Sequence, residues 1–230
     1  LRNTFVINLY NLISFPLSLI FALMLNYALS GRYRKTVQLV SYAPHFISTV
    51  VMCTMVVQFL NAKTGMINSF LGLFGVEAVN YMAKSQYFYH IYVWSDIWQQ
   101  LGYSSIIYIA ALAGISPELH EAAIMDGATV LKRIRHIDIP GVLPTFSILI
   151  ILRCGMLLTL GYEKTLLLQN NLNLSVSQVI STYAYQVGIA AEKPQYSYSA
   201  AISLFSAVVN MVLLFVVNKT VKKLSGTSVW

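Results

Sequence analysis

An all-α membrane protein is the fold class this sequence predicts, with five transmembrane helices and a helix–turn–helix hairpin joining the third to the fourth. Three observations predict it. Of 230 residues, 57% are hydrophobic and 10% charged, whereas a soluble domain carries roughly 25% charged residues; the apolar excess therefore has to face lipid. Five stretches approach the ~20 apolar residues that cross the hydrocarbon core. The Lys and Arg residues fall in short clusters between those stretches. Despite a net charge of +7, that distribution suits membrane topology and not a nucleic-acid-binding face.

The first span covers residues 3–29, without a charge and with Pro16 inside it; the second covers 37–60, with Pro44 near its start. Both prolines remove a backbone donor and are expected to kink their helices, which a membrane bundle tolerates better than water does. The third span, 91–113, carries Asp96 near its beginning; the fourth, 141–162, is interrupted by Arg153 near its middle; the fifth, 198–217, is uncharged. No inverted repeat relates them, and an odd count argues against a self-contained two-fold transporter. The expected organisation is one transmembrane domain over 1–230, with the hairpin at 116–140 and an outer loop at 163–197.

Basic residues orient these spans. Arg32, Arg34 and Lys35 follow the first, Lys132, Arg133 and Arg135 precede the fourth, and Lys219, Lys222 and Lys223 follow the fifth. If the spans alternate, these nine share one side, against Arg2, Lys63, Lys84, Lys164 and Lys193 on the other. The clustered side is expected to be cytoplasmic, hairpin and C-terminus included. Tyr87, Tyr89, Tyr92 and Trp94 at the start of the third span read as an interfacial aromatic belt. Cys53 and Cys154 lie inside apolar stretches and read as packing residues.

The connection between the third and fourth spans is the most informative segment. Ser116 suits an N-cap and Pro117 the first helical position. Glu118 and Glu121 then complement the positive end of the helix dipole, and Gly127 is placed to end the helix. A second helix follows from Ala128 to Ile137, stopped by Asp138-Ile139-Pro140. At ~100° per residue, Val130, Leu131, Ile134 and Ile137 share one arc, with Lys132, Arg133, Arg135 and His136 on the other. Connections in helical bundles usually run about 2–8 residues, and this one has 27.

Glu121-Ala122-Ala123, then Gly127, then Ile137-Asp138-Ile139-Pro140 at the observed spacing resembles the EAA signature of ABC importer permeases, with Ile139 where the family usually has Leu. Asp126, Ala128 and Pro144 fit the sugar-permease form. Residues 32–60 with Gly65-Met66-Ile67-Asn68 resemble the second and third helices of these permeases. Gly161-Tyr162-Glu163, Leu166–Asn170, Tyr183 and the ending Asn218-Lys219 … Trp230 resemble a Gram-positive subgroup that imports complex-carbohydrate fragments. Family members have six helices, so one more is expected ahead of Leu1.

The resemblance implies a multi-pass component of the bacterial plasma membrane. Its expected partners are a second, different permease, two cytoplasmic ATPase subunits and an extracytoplasmic solute-binding lipoprotein. The ATPases hold ATP and Mg, and this chain holds no cofactor or metal of its own. Glu121, Ala122, Ala123, Asp126, Gly127, Val130, Ile134, Ile137 and Pro140 are the expected ATPase-coupling residues. Glu121 would make a polar contact, Gly127 the turn, and Val130, Ile134 and Ile137 the anchoring face.

For the solute path, an intramembrane charge is a functional candidate because it costs about 2.5–3.5 kcal/mol to insert. At about 1.5 Å per residue, Asp96 and Arg153 lie close enough in depth to pair. Alternatively, Arg153 faces the solute path, with Gln58, Gln99 and Gln100 as hydroxyl partners. An oligosaccharide is the expected cargo; a peptide enters through the same architecture. A membrane-embedded enzyme is disfavoured because His45, His90, His120 and His136 are dispersed and no Walker A motif is present. A membrane scaffold without transport activity is the remaining reading.

Overall fold

The computed structural model describes residues 1–28, 30–226 and 228. The expected end of the first span at Leu29 and the family-like C-terminus at Trp230 lie outside the described residues. Among those residues every regular element is a helix.

The first span is two helices, α1 (Arg2–Ser14) and α2 (Leu17–Asn26), interrupted at Pro16 as expected and long and apolar enough to cross a membrane together. The second is more sharply broken. Helix α3 (Gly31–Tyr42) runs into a 3-10 turn at Ala43–Phe46, and α4 (Thr49–Phe59) leaves at 100° to it. Two local causes explain the break. Pro44 cannot donate to the preceding turn, and Ser48, in extended conformation, accepts from the Val51 N–H as the N-cap of α4.

A short helix α5 (Met66–Gly72) is pinned by Asn68, which donates to the Asn61 and Val79 carbonyls and accepts from the Val79 N–H. Helix α6 (Phe88–Ala113) has 26 residues. It is long enough to cross a membrane but, unlike the first, fourth and fifth expected spans, not apolar enough to count as a candidate span, and it buries Ser95, Gln99 and Ser105. A helix enclosed by protein can carry such residues.

Helices α7 (Pro117–Met125) and α8 (Val130–Arg133) follow, then a π-turn at Ile134–Asp138 and α9 (Ile139–Cys154). Here the structure corrects the expectation. Asp138-Ile139-Pro140 does not stop the helix; residues Val130–Cys154 form one candidate span. The i→i+5 bonding of the π-turn widens the helix just ahead of Pro140, where an α-turn would drive the ring into a carbonyl. The fourth span therefore starts earlier than residue 141 and ends at Cys154, not 162, which moves Arg153 from its middle to its last turn.

The backbone beyond Cys154 is irregular and is satisfied by side chains. Asn8 donates to the Leu157 carbonyl, Asn210 accepts from the Leu158 N–H and donates to Thr159 Oγ1, and Ser181 donates to the Leu160 carbonyl. Irregular backbone in a membrane protein requires such partners. The expected outer loop is folded, with α10 (Tyr162–Leu168), α11 (Leu174–Ser177), α12 (Ile180–Tyr185) and a π-turn at Gln186–Ala190. Helix α13 (Tyr196–Ser225) closes the chain. It buries Ser206, Asn210 and Asn218 and exposes Leu204, Phe205, Met211 and Phe215, the reverse of a soluble helix.

Contacts divide the chain into two compact units. Unit one comprises 1–12, 46–97 and 156–211, and unit two comprises 13–45, 98–155 and 212–230. Unit one is built on Ile7, Met52, Cys53, Phe88, Tyr92, Val93, Leu160, Leu168 and Val179. Tyr92 thus belongs to a core and not to an interfacial belt, and Tyr89 donates to Asn3 Oδ1 at 2.9 Å; Trp94 remains exposed. Cys53 and Cys154 are both buried, in keeping with a packing role.

Unit two is built on Ala22, Leu23, Tyr108, Leu112 and Val142. Within it α3 and α6 approach so closely that a Cβ at Gly102 would collide with the Ser41 carbonyl. All nine clustered basic residues belong to unit two, and the other five named above belong to unit one.

Candidate functional site

The hairpin at 116–140 is shaped by its turn. Gly127 has φ of +72°, a conformation that costs an L-residue about 1–2 kcal/mol. With it, the Gly127 N–H bonds the Ile124 carbonyl at 2.9 Å and the Ala128 N–H bonds the Ala123 carbonyl at 2.8 Å. These are the paired bonds of a Schellman cap, and Asp126 is the residue that ends α7. Ser116 and Pro117 occupy the expected N-cap and first-turn positions, and Thr129 caps α8 by accepting from the Lys132 N–H.

The result is a tip with an uncovered apolar surface. Glu121, Ala122, Asp126, Val130 and Pro140 are exposed, and Ala123 is half-buried. Met125 and Leu131 are 88% and 75% exposed, and Leu119 and Ile124 are exposed beside them. The expected anchoring arc divides: Val130 and Leu131 point outward, but Ile134 packs against the core of unit two and Ile137 is half-buried. The π-turn rotates the second half of the arc away from the first, which a regular helical wheel does not anticipate.

Behind the tip lies a polar cluster that sequence reasoning missed. Asp138, treated there only as a helix stop, is buried; Tyr27 donates to its Oδ2 at 2.6 Å, and His120 Nε2 lies 3.4 Å from its Oδ1. The Arg133 guanidinium stacks 5.4 Å above the Tyr27 ring. The signal available was an acid in the otherwise apolar run Ile137–Val142.

The path candidates are dispersed. Asp96 does not pair with Arg153. Its Oδ1 accepts from Lys164 Nζ at 3.2 Å, and the same ammonium donates to the Tyr92 carbonyl at 2.9 Å and sits 4.5 Å from the Tyr92 ring centre. The Lys164 side chain is 8% exposed and that of Asp96 30%, so the lysine has the greater need of a counter-charge. Burial pushes the Lys164 ammonium down, and Asp96 pulls it back up.

Arg153 is exposed in the last turn of α9, where a cation complements the negative end of the helix dipole. Among the described residues it makes no hydrogen bond or ion pair. Gln100 Oε1 lies 2.9 Å from His45 Nδ1, whose ring stacks on Tyr103 at 3.7 Å. Gln99 is buried and Gln58 exposed. Among the described residues no group of three His, Cys, Asp or Glu side chains could hold a metal ion.

Residues 14–226 match the model of the binding-protein-dependent transport system inner membrane component family. The chain belongs to that family. It is a membrane permease, in keeping with the all-helical architecture and the hairpin. The permease is 36% identical over its whole length to the polygalacturonan/rhamnogalacturonan transport system permease protein YteP of Bacillus subtilis, covering 71% of that protein. It is 38% identical to the Bacillus subtilis protein LplB over 97% of the chain and 70% of the relative.

Among solved structures, it superposes on a chain of a bacterial alginate ABC transporter in complex with an alginate pentasaccharide-bound periplasmic protein. The TM-score is 0.95 at 36% identity, covering all of this chain and 79% of that one. The permease is therefore the non-enzymatic membrane subunit of an ABC importer that works with a solute-binding protein.

Proposed function

We propose that this permease carries an acidic oligosaccharide across the bacterial plasma membrane, paired with a second, different permease and driven by two cytoplasmic ATPase subunits. An extracytoplasmic lipoprotein delivers the solute, and ATP and Mg reside in the ATPases. The observation that carries the coupling role is the exposed tip of the hairpin. Met125, Leu131, Ile124 and Val130 form an apolar patch beside Glu121, on a rigid turn that a cleft in another protein would cover. Glu121, Ala122, Ala123, Asp126 and Gly127 form the contact and turn, Ile134 and Ile137 anchor it from within, and Pro140 lies exposed at its base. Hairpin and C-terminus are then cytoplasmic, in keeping with the nine clustered basic residues.

The cargo reading rests on likeness. YteP is named for polygalacturonan and rhamnogalacturonan, and the superposed transporter for alginate, an acidic polysaccharide. Arg153, exposed and without a polar partner among the described residues, supplies the charge that a carboxylate on such a solute would meet.

Gly127→Leu tests the coupling role. In vesicles holding the assembled transporter and its binding protein, it is expected to abolish uptake while the permease stays inserted. Uptake at the normal rate refutes the assignment. The cargo is tested by offering labelled uronate oligosaccharides and neutral ones of equal length; preference for the neutral set rejects the acidic reading.

A further inference from the structure

We infer that Asp138 is a positioning residue that ties the coupling hairpin to the exit of the first span, so that the two move as one body. The inference rests on the coupling role proposed above. Asp138 is 1% exposed. Taking a carboxylate out of water costs several kcal/mol unless partners repay it, and an apolar residue would fill the same space at no such cost. Its partners come from separate elements. Tyr27, one residue beyond α2, donates a 2.6 Å bond to Oδ2, and His120 approaches Oδ1 from the middle of α7. Asp138 itself stands on the helix that continues as the fourth span.

Helix α7 depends on this contact. None of its residues is buried. Among the described residues, the approach of His120 to Asp138 is the side-chain polar tie that α7 makes. A force on Met125 or Leu131 would otherwise tilt α7 about its Gly127 turn without displacing the spans. With the tie in place, the same force reaches Tyr27 and the end of α2.

The π-turn at Ile134–Asp138 aims the carboxylate. Its additional residue per turn shifts everything that follows by about 100° relative to a regular helix. Asp138 Oδ1 and Arg133 Nε are both buried without a hydrogen-bond partner. The hydrogen bond that holds the carboxylate is therefore the one from Tyr27, the His120 approach at 3.4 Å is an ion-pair contact, and no Arg133–Asp138 bond closes the cluster. Burial, then the Asp138 hydrogen bond and charge, push the Tyr27 phenol up to about 12, with Arg133 pulling the other way. The phenol thus remains a donor at any physiological pH.

The test reads solute transported per ATP hydrolysed by the assembled transporter in vesicles, with its binding protein present. Tyr27→Phe removes one oxygen and keeps the ring, and Asp138→Ala removes the carboxylate. Each is expected to lower the ratio about fivefold or more while hydrolysis continues, the range of an ordinary coupling energy. The double variant is expected to be no worse than the worse single, because both remove one interaction.

An unchanged ratio in Tyr27→Phe overturns the proposal. So does a parallel fall of uptake and hydrolysis, which marks a role in assembly only. If Asp138→Ala does not assemble, Tyr27→Phe decides alone. Gly127→Leu separates the two levels. If Gly127→Leu stays coupled, the hairpin reading fails and this inference falls with it. If Gly127→Leu uncouples and Tyr27→Phe does not, the Asp138 tie alone is wrong.

Discussion

Lys164 and Asp96 show how burial apportions the energetics of a charge pair. The two share one contact but not one environment, the lysine being enclosed and the aspartate partly open. Removing one partner of a buried pair strands the other, at about 3–5 kcal/mol when the stranded charge is fully enclosed. Asp96→Asn, which strands Lys164, is therefore expected to cost about 3 kcal/mol. Lys164→Met, which leaves Asp96 in reach of water, is expected to cost less. Thermal unfolding of the purified permease in detergent measures both, and the reverse order contradicts this account.

The pH dependence follows from the direction of the shift. Burial holds the folded-state pKa of Lys164 below its ordinary 10.5. Between the two values the unfolded chain binds more protons, so stability rises with pH. With Asp96 gone, burial acts unopposed and the window widens. The deficit of Asp96→Asn is expected to shrink as pH is raised from neutral towards 10.5. A deficit that grows contradicts it.

Among the elements, α13 carries the least intuitive chemistry. Its Ser206, Asn210 and Asn218 are buried against the protein, and Asn210 serves as a backbone surrogate for the irregular segment after Cys154, bonding both Leu158 and Thr159. Asn210→Leu makes the helix more apolar and would improve its insertion on hydropathy alone. It leaves the buried Leu158 N–H unpaired, a penalty of about 1–3 kcal/mol. The variant is expected to insert normally and melt at a lower temperature than the parent; equal or higher thermal stability would show that the segment satisfies itself.

Across the whole molecule the unresolved chemistry is on the outside. The exposed apolar residues of α13 suit lipid or another apolar helix, but Arg153 suits neither. An acidic solute is the partner proposed for it. Arg153→Gln keeps size and hydrogen bonding and removes the charge. Uptake of a uronate oligosaccharide at limiting concentration is expected to fall about tenfold or more, the value of a charge-assisted bond, with assembly and neutral-sugar uptake preserved. If assembly fails instead, Arg153 belongs to the interface with the second permease.

The family, the helical class, the apolar runs of the first, fourth and fifth spans and the motif within Glu121–Pro144 were all legible in the sequence. Each depends on a local or additive property: the length of an apolar run, the charge between runs, or the spacing of Gly127 from its flanking residues. The Pro16 break and the Gly127 turn were legible for the same reason, since proline and glycine act on their own backbone. The break at Ser48, the continuous helix through Pro140 and the early end at Cys154 were not. Each turns on a backbone group whose partner is supplied by another residue, such as Asn210 for Leu158.

The pairing of Asp96 with Lys164, and the clasp of Asp138 by Tyr27 and His120, could be decided only by tertiary structure. Which oppositely charged or polar groups meet depends on helix ends and rotations, and a single π-turn shifts those by about 100°. The sequence by itself determined the kind of machine and the hairpin that marks it. The tertiary structure decided what that hairpin is fastened to.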